Sequence, residues 1–334
     1  MPLLFTNEQQ GYINNARDAF NRNEQQLAAL HGNNQLIGNA SPLPKYAWET
    51  IDRQVTPVQR SILAVFDSLS ASYSKAVPIG PMVHYFTQVN DSTNSATVTL
   101  DGRNNGKADT SVYTYQGTPL PIITDRAAYG WRQVAAAQQA GFGSFTQDGI
   151  DNSVRVVSEK AENLMLYGDA NVVVGGSTLY GLLNHPKRNT DTHGLDLNGA
   201  TGANWLAALN KGKAKLHGDN FYGKVKLYLN YGDWYYANTT DYIGTYPKSI
   251  IQRLMETGVI SEIVPCSKVP ANSMVFLADQ MGVVNVLNGM PLATTPEVRQ
   301  KATDDYVFTT MMATALEIRY DSKDNCGIAV VTKA

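Results

Sequence analysis

The residues that could do chemistry in this 334-residue chain are few and scattered. His185 and His193, with Asp191 and Asp196, could be drawn as a metal cluster. None of the five histidines is spaced i, i+4 as a zinc-binding helix requires, so the stretch reads better as a polar loop of turn formers. Gly141-Phe-Gly143 begins a dinucleotide-like pattern, but Thr146 stands where the third glycine belongs and no strand leads into a glycine-opened helix. Neither a Gly-x-x-x-x-Gly-Lys-Ser/Thr phosphate loop nor a Gly-x-Ser-x-Gly elbow occurs. Cys266 and Cys326 lack a Cys-x-x-Cys partner and fit small core hydrophobes in a reducing compartment. The expectation is a protein with no catalytic residues, no metal and no cofactor.

Aromatic residues point toward surfaces. Tyr222, Tyr228, Tyr231, Tyr235 and Tyr236 gather around Trp234 among 18 tyrosines in all. Stacking platforms for single-stranded nucleic acid would need a basic groove, and only Lys224 and Lys226 are nearby. Tyrosine also suits interfaces with one apolar and one wet end, which is the better reading.

Composition agrees. A hydrophobic fraction of 43% supports a core, so the chain is not wholly disordered. Charged residues reach only 17%, below the ~25% usual for soluble domains. That suits a protein which buries much of itself against copies of itself. A net charge of −2 gives nothing to steer the chain onto a phosphate backbone. The start, Met1-Pro-Leu-Leu-Phe-Thr, lacks the basic and apolar regions of a secretory signal, and no run approaches the ~18 apolar residues of a membrane span. The chain is expected to be cytosolic when made.

The elements that must position these residues follow from periodicity. Thr6–Gln9 reads as a capping box, followed by Ile13, Ala16, Phe20, Leu27 and Leu30 on one thin apolar seam. A helix with so narrow a seam cannot form a core and is expected to lie on another subunit. A polar connector (32–44) leads to a second helix start at Thr56-Pro57-Val58-Gln59, with Val58, Ile62, Leu63, Phe66 and Leu69 as its stripe. From Val83 to Thr118 the period becomes two, with strands at 83–89, 96–100 and 111–115. The last two flank the turn Asp101–Asp109, whose polar residues Asp101, Arg103, Asn105 and Lys107 stand at the tip of a long hairpin bearing Tyr113 and Tyr115. Such a two-stranded ribbon is marginal alone and should dock on a neighbour. An extended segment (119–131) and a short helix (132–140) precede the clearest helix, 146–167. There Ile150, Val154, Val157, Ala161 and Leu164 recur at i, i+4, i+7, i+11 and i+14. The remainder alternates helices near 205–216 and 248–257 with strands at 225–229, 260–264 and 274–278, and closes on two strands expected to pair as a hairpin.

Tyr129-Gly-Trp-Arg-Gln-Val-Ala-Ala-Ala-Gln-Gln-Ala-Gly, the long helix, Leu166-Tyr-Gly-Asp169 and Leu179-Tyr-Gly-Leu-Leu-Asn-His-Pro186 together resemble a family of tailed-bacteriophage major capsid proteins. The Gly-Asp and Gly-Leu-Leu-Asn pieces are also similar to encapsulin shell proteins, which share the fold. Trp48-Glu-Thr-Ile-Asp52 with Pro57-Val58 resembles the same capsid family. The block at 129–186 is fairly specific; elsewhere the match is in the order of elements.

The resemblance implies an α+β, HK97-type capsid fold. Residues 1–75 would be the N-terminal arm, 76–122 the extended loop with its flanking strands, 123–186 the peripheral domain with its spine helix, 187–312 the axial domain, and 313–334 a C-terminal hairpin returning to the peripheral domain. Inter-subunit contacts would fall on Ile13, Phe20, Leu27, Asp101, Arg103, Asn105, Lys107, Tyr113 and Tyr115. The implied function is structural: self-assembly into hexamers and pentamers that enclose double-stranded DNA without reading its sequence. Portal, scaffolding and decoration proteins would be its companions, with the virion capsid as destination and the host cytoplasm as assembly site. Some such shells weld a loop lysine to a neighbour's asparagine, but Lys107 reads as a solubilising charge. The alternatives are an encapsulin-type compartment enclosing cargo and, from another class, a soluble α/β enzyme using the loops between Asn184 and Gly202.

Overall fold

A computed structural model describes residues 7–30, 64–91, 98–100, 109–139, 145–244 and 246–333. The chain divides into two compact units that each take up several stretches of sequence.

The first unit combines residues 1–81, 120–165 and 286–315. Its sheet has the order β1 (Ser74–Ala76), β13 (Val284–Pro296), β14 (Tyr306–Ile318), β4 (Ile122–Tyr129). β1 runs parallel to β13 and reaches only from Val286 to Asn288, while β4 is antiparallel to β14 from Ala313 back to Tyr306. Helix α1 (Asn7–Leu30) lies along β13 where β1 has ended. The Gln9 side-chain amide donates to Gly289 O, and Asn23 donates to Arg299 O. Helix α2 (Ala64–Tyr73) buries Val65, Phe66, Leu69 and Tyr73 and leads straight into β1. Short helix α3 (Trp131–Gln139) follows β4 and buries Val134. The long helix α4 (Phe145–Tyr167) buries Ile150, Val154, Val157, Ala161 and Leu164. Its Gly149 faces Tyr129 of β4, whose hydroxyl occupies the space a Cβ would fill.

The second unit combines residues 82–119, 166–285 and 316–334. Its main sheet runs β11 (Ile260–Cys266), β8 (Val225–Asn230), β12 (Met274–Ala278), β15 (Ile328–Thr332), β7 (Asn189–Thr192). The β11–β8 and β15–β7 pairs are parallel, the two inner pairs antiparallel. Helix α5 (Gly202–Gly218) contributes Trp205, Leu209 and Leu216 to a core with Leu227, Phe276 and Val331. Gly212 is the point of closest approach, since a Cβ there would fall 2.2 Å from the Phe276 ring. Asn230 caps helix α6 (Tyr231–Thr239) by accepting from Gly232 N at 2.9 Å, and a Ser249–Gln252 capping box opens α7 (Ile250–Glu256). Two small ribbons, β5–β6 (Asp169–Val174, Ser177–Leu179) and β9–β10 (Asp241–Ile243, Tyr246–Ser249), complete the unit. A third ribbon pairs β2 (Val83–Val89) with β3 (Tyr113–Pro119).

Several expectations change. The strand at 113–119 pairs with 83–89, not with 96–100; residues 98–100 form no strand, and 92–97 lie outside the described residues. The closing hairpin is not formed: β14 belongs to the first sheet and β15 to the second, with a single bridge between Tyr320 and Cys326. Residues 187–312 therefore do not form one unit. Residues 286–315 belong with the long helix because β13 and β14 pair with β1 and β4, and the C-terminal strand joins residues 187–285 because it inserts between β12 and β7. α1 lies on its own chain rather than waiting for another. The helix starting at Thr56 and the tip 101–108 lie outside the described residues.

Candidate functional site

The β2–β3 ribbon is seated by one face and open on the other. Phe86 and Gln88 point inward and are buried. Phe86 meets Tyr320 edge-on at 5.9 Å, the Arg319 guanidinium lies 5.6 Å from the Phe86 ring, and Gln88 Nε2 donates to Tyr320 O at 2.8 Å. Thr114 and Gln116 of β3 both donate to Gln88 Oε1, so one buried amide ties the two strands to the body. His84 pairs through Nδ1 with Glu317, which also accepts from Asn285 at 2.8 Å and from Arg319 at 2.7 Å. Burial works against the Glu317 charge, but the Asn285 and Arg319 hydrogen bonds and the Arg319 charge outweigh it and hold the carboxyl below its ordinary range.

The opposite face carries Tyr85, Val89, Tyr113 and Tyr115, between 46% and 68% exposed. Cross-strand pairing sets Tyr113 beside Val89, Tyr115 beside Thr87 and Gly117 beside Tyr85. A Cβ on Gly117 would fall 2.4 Å from Ser177 Oγ and 2.8 Å from Tyr85 Cε1, so the glycine lets both side chains approach the strand. An alternating row of exposed aromatic groups on a ribbon is apolar surface that is left largely uncovered among the described residues.

Two further apolar surfaces occur. In the first unit a groove of about 560 Å³ is lined by Tyr12, Val77, Ile79, Ile122, Met290 and Met311. In the second, Tyr222, Tyr231, Tyr235 and Ile243 are exposed, with the Tyr231 and Trp234 rings 5.6 Å apart, while Tyr228 is buried and Tyr236 donates to Ala200 O.

The Leu166-Tyr-Gly-Asp169 and Gly181-Leu-Leu-Asn184 stretches form one tight crossing at the end of α4. Gly168 has φ +61°, and a Cβ on it would fall 2.3 Å from Leu179 O; one on Gly181 would fall 2.5 Å from the Leu166 carbonyl carbon. Leu183 N donates to Leu166 O at 2.7 Å and Asn184 Oδ1 accepts from Gly181 N at 2.7 Å. Glycine is required at both positions because backbone meets backbone. His185 follows, packed edge-on against Tyr180 at 5.5 Å and accepting from Lys187 N through Nδ1. Burial, with the Arg188 and Lys187 charges, pushes its pKa down to about 4.

Several polar side chains between 184 and 202 are engaged structurally. His193 bridges Leu195 N and Asn272 O, Asp191 pairs with Lys215, and Asp196 with Lys333. Among the described residues no three metal-ligating side chains form a group. Burial, opposed by an Ile328 backbone hydrogen bond, pushes the Cys326 thiol up to about 12.

Of the contact residues read from sequence, Tyr113 and Tyr115 lie on the open face. Ile13 and Phe20 are buried within the single chain, at 5% and 2% exposure. The Leu27 side chain, Asp101, Arg103, Asn105 and Lys107 lie outside the described residues. Sequence reasoning missed Tyr85, Val89, the groove and the Glu317 anchor; only the period-two pattern at 83–89 could have pointed to the first two.

A family model described as a family of unknown function, DUF6260, matches residues 38–330. The chain belongs to that family. No curated protein matches the DUF6260 chain. Among solved structures it is similar to the capsid of Myoviridae phage XM1 (11% identity, TM-score 0.61, covering 76% of this chain and 86% of that one). It is similar to Mycobacterium phage Adephagia (10%, 0.57, 79% and 88%). A third is a virus-like particle from Pyrococcus furiosus (14%, 0.54, 85% and 99%). At such identities the likeness establishes the fold, which is the HK97-type capsid fold.

Proposed function

We propose that this DUF6260 chain is the structural subunit of a tailed-phage icosahedral shell, assembling into hexamers and pentamers around double-stranded DNA. The observation that carries this reading is the β2–β3 ribbon: anchored at its root, with Tyr85, Tyr113 and Tyr115 left open on a chain that has the capsid fold. A ribbon of two strands does not stabilise itself, and a partner copy supplies the missing surface. The contact is heterologous, ribbon against a different surface of the next copy, and such contacts close into rings. Each is weak, and their number makes the shell. In this reading residues 1–75 are the arm, 76–122 the extended loop, α4 the spine of the peripheral domain, and the β11-β8-β12-β15-β7 body the axial domain. Tyr222, Tyr231 and Tyr235 then meet neighbours. A near-neutral chain suits DNA packaging without sequence reading. Portal, scaffolding and decoration proteins are its companions, with assembly in the host cytoplasm.

The experiment is negative-stain microscopy of the purified chain and of a variant lacking Asp101–Asp109. The full chain should yield closed shells and the deletion a soluble body that forms no stable shell. Normal shells from the deletion would remove the ribbon from the assembly. A second reading, an encapsulin-type compartment, is favoured by the virus-like particle whose whole chain this one covers; nuclease-resistant DNA inside the particles separates the two.

A further inference from the structure

We infer that the slot between β3 and β6 is a binding site for a small inorganic oxyanion of the sulfate or phosphate class, with His185 as its chief donor. The site stands apart from the shell reading and holds whether or not shells form. The slot measures about 140 Å³, room for roughly four waters at ~30 Å³ each. Its walls are Gln116–Thr118 of β3 and Gly176–Thr178 at the start of β6, and Tyr180, His185 and Tyr320 line it as well. The two strands close on each other at Gly117, where an added Cβ would fall 2.4 Å from Ser177 Oγ.

The donor set decides the sign of the ligand. His185 is only 5% exposed. Its Nδ1 accepts from the backbone N–H of Lys187 at 3.2 Å, so the proton of the neutral ring sits on Nε2. Among the described residues no acceptor answers that Nε2–H, and the hydroxyls of Thr178, Tyr180 and Tyr320 have no partner either. A buried donor left without an acceptor is costly, and an oxyanion brings several acceptor oxygens to one point. Lys187 and Arg188, on the same turn, both act on the ring as positive charges, and Arg188 Nη1 donates to His185 O at 2.9 Å. Asp324, paired with Lys187 at 2.6 Å, offsets one of them. No charged side chain of β3, β6 or the 316–320 stretch is among the residues lining the slot; Glu317 and Arg319 of that stretch are bonded to each other. A protonated Nε2 beside a net positive turn disfavours a cation and favours an anion.

Occupancy has two consequences. The ion ties β3 to β6, and so braces the seat that Phe86 of the β2–β3 ribbon already shares with Tyr320. It also favours the imidazolium. In the empty slot burial, followed by the Arg188 and Lys187 charges, keeps the ring neutral down to about 4. A bound anion opposes both effects and raises the pH at which the ring protonates, so the complex binds more protons than the free chain. Affinity therefore rises as pH falls toward 4.

The test is equilibrium dialysis of the full-length chain against radiolabelled sulfate, whose charge stays constant from neutral pH into mild acid, with chloride holding the ionic strength. Saturable binding of one sulfate per chain is expected, tighter in acid and displaced by inorganic phosphate. Low millimolar sulfate should also slow proteolytic cutting within 83–119. His185→Phe keeps a ring against Tyr180 and Tyr320 but removes the donor, and should weaken sulfate binding at least roughly tenfold. Should that variant fail to fold, Thr178→Val removes a hydroxyl from the slot wall at nearly constant volume and should weaken binding several-fold. Absence of saturable sulfate binding to the unmodified chain overturns the inference. So does binding that His185→Phe, or in its place Thr178→Val, leaves undiminished, or that tightens as pH rises.

Discussion

Glu24 and Arg299, 275 positions apart, form a bidentate ion pair with both side chains withdrawn from solvent. Arg299 donates through Nη1 to Ala302 O and Asp304 O and lies 3.8 Å over the Tyr306 ring. With every polar atom of the guanidinium answered, removing one partner strands the other. Arg299→Met should cost roughly 3–5 kcal/mol, whereas a double replacement by apolar residues of similar volume should be far milder. Urea midpoints of the dissociated chain, taken as a double-mutant cycle, measure the difference.

Glycines separate into required and dispensable ones. Gly168→Ala and Gly181→Ala each push a methyl into backbone, and Gly168 also has positive φ. Losses above about 2 kcal/mol are expected at both. Gly11 lies in α1 with nothing within 4 Å of an added methyl, so Gly11→Ala should instead stabilise by up to about 1 kcal/mol. Thermal unfolding of the three variants checks the contrast.

His185 should make the fold acid-sensitive. Its folded pKa, about 4, lies below the unfolded value of 6.5, so between these values the unfolded chain binds more protons. The stabilisation is full above pH 6.5 and is lost as pH falls toward 4, by at most about 3 kcal/mol. His185→Gln should flatten stability across that window; an unchanged slope would place the sensitivity elsewhere.

Glu317 holds the root of the ribbon. Glu317→Gln removes the charge facing Arg319 and His84 and one acceptor from a buried cluster, at a cost of about 1–3 kcal/mol. Because its folded carboxyl is held low, the native contribution is present at neutral pH and fades as acid protonates it. Limited proteolysis should cut the variant faster within 83–119 than in the β8–β12 body.

Tyr113→Ser with Tyr115→Ser removes exposed aromatic surface and should leave unfolding midpoints within about 0.5 kcal/mol of the parent. Particle yield, read by microscopy and gel filtration, should fall sharply.

The sequence by itself determined the elements whose signal is local. α4 was legible because five apolar residues share one helical face, β2 because it alternates, and the capsid resemblance because Gly168 and Gly181 stand where backbones touch. α6, Tyr231–Thr239, was not legible: aromatic all round, it shows no apolar stripe. Partnership was decided only by the tertiary structure. Period two says that 83–89 is a strand, but its pairing with 113–119 depends on Phe86 and Gln88 reaching Tyr320. Likewise, nothing local distinguishes a closing hairpin from two strands that part into different sheets, as β14 and β15 do. α1 showed its apolar seam in sequence, but the seat for Gln9 and Glu24 comes from residues 280 and 275 positions away. Side-chain period is a property of neighbours in the chain, whereas register and docking depend on which distant surfaces are left to cover.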